Sequence, residues 1–248
     1  MRTLKLTLAY DGTAYVGWQR QQNGVSVQEL VEGAFQPLAA RPDGSAPTVI
    51  GAGRTDAGAH ALGQVASVNV EFDLPAVKIQ RALNNRLPFD IRVVDVVDAK
   101  PGFHARYHAT GKSYRYRLVT RPVMSPFDRL YAWHVPGRCD VDAMRRAATG
   151  LAGRHDFASF QASGSPVADT VRTMHRVEVR DVGGEVVVEV DGDGFLRHMV
   201  RAMAGTLADV GVGGRPADSM GAILAARDRG AAGPTAPAHG LTLLAVRY

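Results

Sequence analysis

Apolar and polar residues alternate over residues 4–10, where Leu4, Leu6 and Leu8 fall on one side and Asp11-Gly12 follows as a turn. A period of two predicts a half-buried strand. After Ser26 the period lengthens: Val27, Leu30, Val31, Ala34 and Leu38 share one helical face, and Ser26 with Glu29 has the spacing of a capping box. A Pro/Gly-rich turn over 41–47 leads into a short strand over 48–52, and alternation returns as a strand over 64–72. Residues 76–87 have helical spacing that stops at Pro88, and 91–97 reads as another strand.

The rest of the chain repeats this succession, with a strand over 113–120, a helix over 140–152 and a hairpin over 174–190. In the hairpin Val177, Val179, Val186, Val188 and Val190 alternate about Gly183-Gly184, a two-residue turn signature. Leu196, Met199, Val200, Met203 and Leu207 then share a helix face that ends before Gly211, and a last strand covers 241–246. Two such series predict an α+β fold of two similar α/β halves, residues 1–107 and 108–248, with mostly antiparallel sheets. A cleft between them is a natural place for a substrate.

Composition narrows the partner. With 46% hydrophobic residues in 248, the chain reads as globular rather than disordered or repetitive. No run approaches about 18 apolar residues, and the alternating N-terminus has no signal-peptide core, so a soluble cytoplasmic protein without a membrane partner is expected. Cys139 is the sole cysteine, which excludes an intramolecular disulfide and a cysteine-built zinc cluster, and it reads as a packing residue. The net charge of +5 and pI near 9.6 favour a polyanion. Only four of the 29 basic residues are lysines. The arginine excess has two readings, base composition, since alanine is also abundant, and function, since guanidinium forks suit phosphate and base stacking.

The stretch GAGRTDAGAHALGQV, residues 51–65, places Asp56 among four glycines, between two predicted strands. It fails as a dinucleotide fingerprint because Asp56 occupies the third glycine position, and no Gly-Lys-Ser/Thr follows to make a phosphate loop. His60 alone does not make a metal site with Asp56, and Asp191 and Asp193 in DGDG lack the glutamate of a calcium loop and read as a turn. What is left is a single carboxylate. It can be a turn residue or helix cap, or, with Arg54 to hold it charged or steer a phosphate, a nucleophile or base. Two-carboxylate sugar hydrolysis does not fit one acid.

Two further stretches carry chemistry. In FHARYHATGKSYRYRL, residues 103–118, Tyr114 and Tyr116 share one strand face and Arg115 and Arg117 the other. The tyrosines are either core or base-stacking groups, and the arginines either a solvated face or phosphate ligands. In DGDGFLRHMVRAMAG, residues 191–205, Arg197 and Arg201 are one helical turn apart, on either a solvated face or an anion site.

Ten ordered segments resemble the tRNA pseudouridine synthase A family: YDGTAYVGWQRQ at 10–21, SVQE at 26–29, GRTDAGAHA at 53–61, LNNRLPFDI at 83–91, FHAR at 103–106, KSYRY at 112–116, HDFASF at 155–160, RTM at 172–174, GFLRHMVR at 194–201 and GLTLLAVRY at 240–248. Ala59 stands where the family usually has valine, a change that removes no chemical group. The resemblance implies the pseudouridine synthase fold, two halves about a central basic cleft, acting as a homodimer on tRNA. It implies isomerisation of uridine to pseudouridine at positions 38, 39 and 40 of the anticodon stem-loop, without metal or other cofactor. Carried over residue by residue, Asp56 is the catalytic nucleophile, Tyr114 the uracil-stacking ring, Arg54 a group near the flipped nucleotide and Arg201 the partner of the carboxylate. Whether Asp56 attacks C1′, adds to C6 or removes a ribose proton stays open. Trp18 and Gln19 read as structural, and His60, His104 and His198 have no assigned role.

Overall fold

Leu4, Leu6 and Leu8, all fully buried, turn one face of β1 (Arg2–Tyr10) into a core, as their alternation predicts. The computed structural model describes residues 2–39, 44–164, 167 and 169–248, and within them the chain divides into two units. One runs to Thr110 and takes up Leu243–Tyr248; the other is Gly111–Thr242.

In the first unit β1 is followed by α1 (Val27–Ala39), β2 (Ile50–Gly51), β3 (His60–Val70), α2 (Ala76–Asn84) and β4 (Ile91–Asp98). β1 lies between β3 and β4 and is antiparallel to both, with Leu6 opposite Ala66 on one side and Val96 on the other. The Ser26 hydroxyl accepts from the Glu29 N–H at 3.3 Å, half of the expected capping box, and Val27, Val31, Ala34 and Phe35 bury the face of α1. β2 is shorter than expected and pairs with β3, whose start at His60 makes the second half of the Asp56 stretch strand rather than loop. Residues 41–43 of the expected turn lie outside the described residues.

The second unit holds β5 (Gly111–Val119), β6 (Trp133–His134), α3 (Val141–Thr149), β7 (Gly153–Asp156), β8 (Val171–Asp181), β9 (Glu185–Gly192), α4 (Met199–Gly211) and α5 (Met220–Ala226). Its sheet runs β5-β9-β8-β7 with antiparallel neighbours, and β6 adds to β5 in parallel. The β8–β9 hairpin turns at Gly183 and Gly184, both at positive φ (61° and 85°), as the two-glycine signature requires. α4 begins at Met199, after the expected start, because His198 sits in the left-handed region (φ 60°) and breaks the helical run behind it. β6, β7 and α5 were not expected; each is too short to carry a period of its own.

The last strand, β10 (Leu241–Arg247), neighbours β3. The Thr110 N–H donates to the Arg247 carbonyl at 2.9 Å, Tyr248 donates to the Ala105 carbonyl at 2.8 Å, and Val246 packs with Ala52, Val65 and Ala105. The division expected at residue 107 thus falls just before the end of the first unit's main segment, and Leu243–Tyr248, expected in the second half, joins the first. Among the described residues no helix is long and apolar enough to cross a membrane.

Candidate active site

Asp56 is half-buried on the connection between β2 and β3, and the segment following β1 holds that connection in place. Gly12 and Gly17 let the two backbones touch. A Cβ at Gly12 would stand 1.9 Å from the Ala59 carbonyl oxygen, and one at Gly17, where φ is +102°, 2.3 Å from that of Thr55. Backbone bonds close the approach: the Trp18 N–H donates to Thr55 O (3.3 Å), the Gly58 N–H to Tyr15 O (3.2 Å), and the Ala59 N–H to Asp56 O (3.1 Å) across its own turn. His60 accepts the Gly12 N–H at Nδ1 (3.0 Å), which gives this buried histidine a bracing job. From the other side Gln64 donates to the Gly53 carbonyl at 3.0 Å.

Below the turn lies an aromatic floor. Trp18 is 1% exposed and tilts against Tyr10, ring centroids 6.2 Å apart, which bears out its structural reading; Gln19 donates to Gln28 at 2.8 Å. The Tyr10 hydroxyl lies 2.9 Å from the Thr55 hydroxyl, one residue before Asp56. Burial pushes the Tyr10 phenol up to about 12, the Thr55 and Gln64 hydrogen bonds opposing the shift, and burial with the Asp90 carboxylate raises Tyr15 as well. A phenol whose folded pKa exceeds its unfolded value of 10.0 stabilises fully below that value and loses the contribution as pH rises through the folded pKa. Thermal stability should therefore fall between pH 10 and about 12, and Tyr10→Phe should flatten the fall in a melting series. A pH-independent melting point in the native protein over that window would contradict this account of the floor.

Arg54 is exposed and two residues from Asp56 on the same connection. Tyr114 and Arg201 lie in the second unit. The Tyr114 ring, 8% exposed, meets Phe195 edge-on at 4.9 Å between centroids. Arg201 is half-buried in α4 and fixed by its own backbone exchange: its Nε donates to Ala236 O (2.7 Å) and the Ala236 N–H returns to Arg201 O (3.1 Å). Nearby Tyr116 is fully buried and donates to the Pro237 carbonyl at 2.8 Å, so of the two tyrosines it takes the core role. Phe195 was visible only as one letter of GFLRHMVR; nothing in its spacing marks it as the wall beside Tyr114.

The alternation of arginines with those tyrosines resolves differently. Arg115 and Arg117 lie on the opposite face of β5 and are ion-paired across strands, Arg115 to Glu189 (2.9 Å) and Arg117 to Glu185 (2.5 Å) and Asp128 (3.1 Å). Arg180 (2.7 Å) and Arg176 (3.4 Å) also reach Glu189, which is 7% exposed, so this face is a charge ladder that ties strands together. Glu189→Ala should destabilise the protein by about 1–3 kcal/mol in urea titrations, since it takes away the carboxylate that Arg115 bonds and one partner each of Arg176 and Arg180. An unchanged midpoint would show the ladder to be worth nothing.

The arrangement supplies one carboxylate on a turn held by backbone bonds, with an arginine two residues before it in sequence, and in the second unit a ring held edge-on and an arginine anchored by backbone. A family model described as tRNA pseudouridine synthase matches residues 7–108 and 147–248. The chain is 47% identical over 248 residues to the tRNA pseudouridine synthase A of Syntrophotalea carbinolica, covering 100% of this chain and 97% of that protein. It is 45% identical to that of Geobacter sulfurreducens and 46% identical to that of Moorella thermoacetica, with complete coverage of both chains in each case. The match spans both units and includes the turn that carries Asp56, and on this evidence the chain belongs to the tRNA pseudouridine synthase family.

Proposed function

We propose that the protein isomerises uridine to pseudouridine at positions 38, 39 and 40 in the anticodon stem-loop of tRNA, with Asp56 as the catalytic group. The observation that carries this reading is the full-length similarity to proteins called tRNA pseudouridine synthase A, in a chain whose Asp56 turn is braced from both sides. The reaction breaks the N1–C1′ bond, turns the uracil and joins C5 to C1′; C5 gives up a proton and N1 gains one. Nothing is oxidised or reduced and no water is consumed, so the chemistry asks for no cofactor. A carboxylate that attacks C1′, adds to C6 or takes a ribose proton can open this sequence, and each route needs the same acid.

The target base must leave its stack, which costs a few kcal/mol. Tyr114 is assigned to the uracil face, where stacking contributes about 1–3 kcal/mol, and its edge contact with Phe195 supports that by fixing the ring. Arg201 is assigned to the Asp56 carboxylate and Arg54 to the nucleotide's phosphate side. This reading has the three residues Asp56, Tyr114 and Arg201 address one nucleotide in a central basic cleft, in a cytoplasmic homodimer that shares the RNA. The test is to incubate the protein with an unmodified tRNA transcript bearing uridines in the anticodon arm and to map the products. Pseudouridine at 38–40 is expected; an unmodified transcript after incubation with stoichiometric protein would overturn the reading.

A further inference from the structure

Between α2 and β4 the segment LPFDI, residues 87–91, carries a large apolar side chain entirely into solvent: Phe89 is 96% exposed. Its placement is not slack. Pro88 precedes it, the Ile91 N–H donates to Pro88 O (3.1 Å), and Asn84 exchanges side-chain bonds with the Val93 backbone at 2.9 and 2.8 Å, which pins the turn from both ends. Arg92 lies on the Phe89 ring with its guanidinium carbon 5.0 Å from the centroid, and its Nη1 donates to the carbonyls of Pro88 (2.8 Å) and Ile91 (2.7 Å). A ring is thus supported on one face by a cation and presented to solvent by the other.

The same turn is bonded to the segment that braces Asp56. The Asp11 N–H donates to Asp90 O (2.9 Å), the Tyr15 hydroxyl donates to the Asp90 carboxylate (2.5 Å), and Tyr15 O receives the N–H of Gly58, two residues past Asp56. Phe89 thus precedes the residue that ties its turn to the segment bracing Asp56. A solvent-facing aromatic ring with an arginine over one face, on a turn bonded to the segment that braces Asp56, has the chemistry of a base-stacking platform.

We propose that Phe89 stacks on a nucleobase of the substrate RNA flanking the one presented to Asp56, with Arg92 holding the ring and adding positive charge toward the phosphate backbone. The assignment rests on the tRNA reading above. Native protein, Phe89→Ala and Phe89→Tyr are compared on one anticodon-arm RNA carrying 2-aminopurine beside the target uridine, with affinity, fluorescence and pseudouridine formation measured. Phe89→Ala should weaken RNA binding by about 10-fold and relieve the quenching of 2-aminopurine, while Phe89→Tyr keeps both within about 2-fold of native, as a stacked ring requires. Melting temperatures should coincide, because a side chain this exposed contributes little burial. If the native protein modifies the RNA and Phe89→Ala binds and quenches equally well, the platform is overturned while the tRNA reading stands. If Phe89→Ala instead changes only the oligomeric state, the ring serves a protein contact and the proposal falls. If the native protein neither binds nor modifies the RNA, it is the underlying reading that fails.

Discussion

Asp56→Asn is expected to lower pseudouridine formation by at least about 10³-fold while tRNA affinity stays within about 3-fold of native. The substitution is nearly isosteric and leaves the Ala59 N–H bond to the residue 56 carbonyl in place, because that bond is made by backbone. What it removes is the negative charge and basicity on which every route from the carboxylate depends. Single-turnover rates with saturating protein, alongside a filter-binding titration, separate the two effects. Pseudouridine formation at a near-native rate would sink the catalytic assignment, and an equal collapse of binding and rate would mean that Asp56 holds the RNA or the turn instead.

Gly17→Ala is expected to have the second-largest effect although residue 17 carries no chemistry. The new methyl would meet the Thr55 carbonyl at 2.3 Å and the Asp56 carbonyl carbon at 3.1 Å, at a φ of +102° that L-residues disfavour. The backbone of Thr55-Asp56 must give way, and a displacement near 1 Å of a reacting group lowers rate by about 10²-fold. Stability should fall by about 1–3 kcal/mol. Gly33→Ala on α1 is the control, since a Cβ there meets nothing within 4 Å and a helix gains from alanine, so it should be neutral or slightly stabilising. Turnover by Gly17→Ala close to that of the control would show that the turn tolerates displacement and that its bracing is incidental.

These two effects divide what could be seen in the chain from what could not. Strands β1, β4, β5 and β10 and the glycine-turned hairpin follow from period and turn chemistry, which act locally. The single acid also stood out by elimination. Its bracing did not: Gly12 and Gly17 are visibly glycines, but only the fold shows that their missing side chains make room for the backbone of Thr55 and Ala59, some forty residues away in sequence. Arg115 and Arg117 show the reverse failure, since alternation with tyrosines is equally compatible with phosphate ligands and with a cross-strand ladder, and the partners Glu185 and Glu189 sit on β9, adjacent in the sheet but distant in sequence. His198 illustrates a third kind, where a helical pattern of apolar residues runs through a left-handed residue that stops the helix short. Tertiary pairing decides each of these cases, and a local period carries no record of it.

The pairing of β10 with the first unit bears on how the protein is made. On the ribosome, residues 111–242 are synthesised between two parts of one compact unit. The flank of β3 must stay unpaired until translation has passed residue 247. β3 begins at His60, at the end of the Asp56 turn. Contacts such as Thr110 with Arg247 span more than half the chain and close late for entropic reasons. A nascent chain stalled in the second unit would thus carry β3 with that flank still uncovered, an open strand edge for a chaperone to cover.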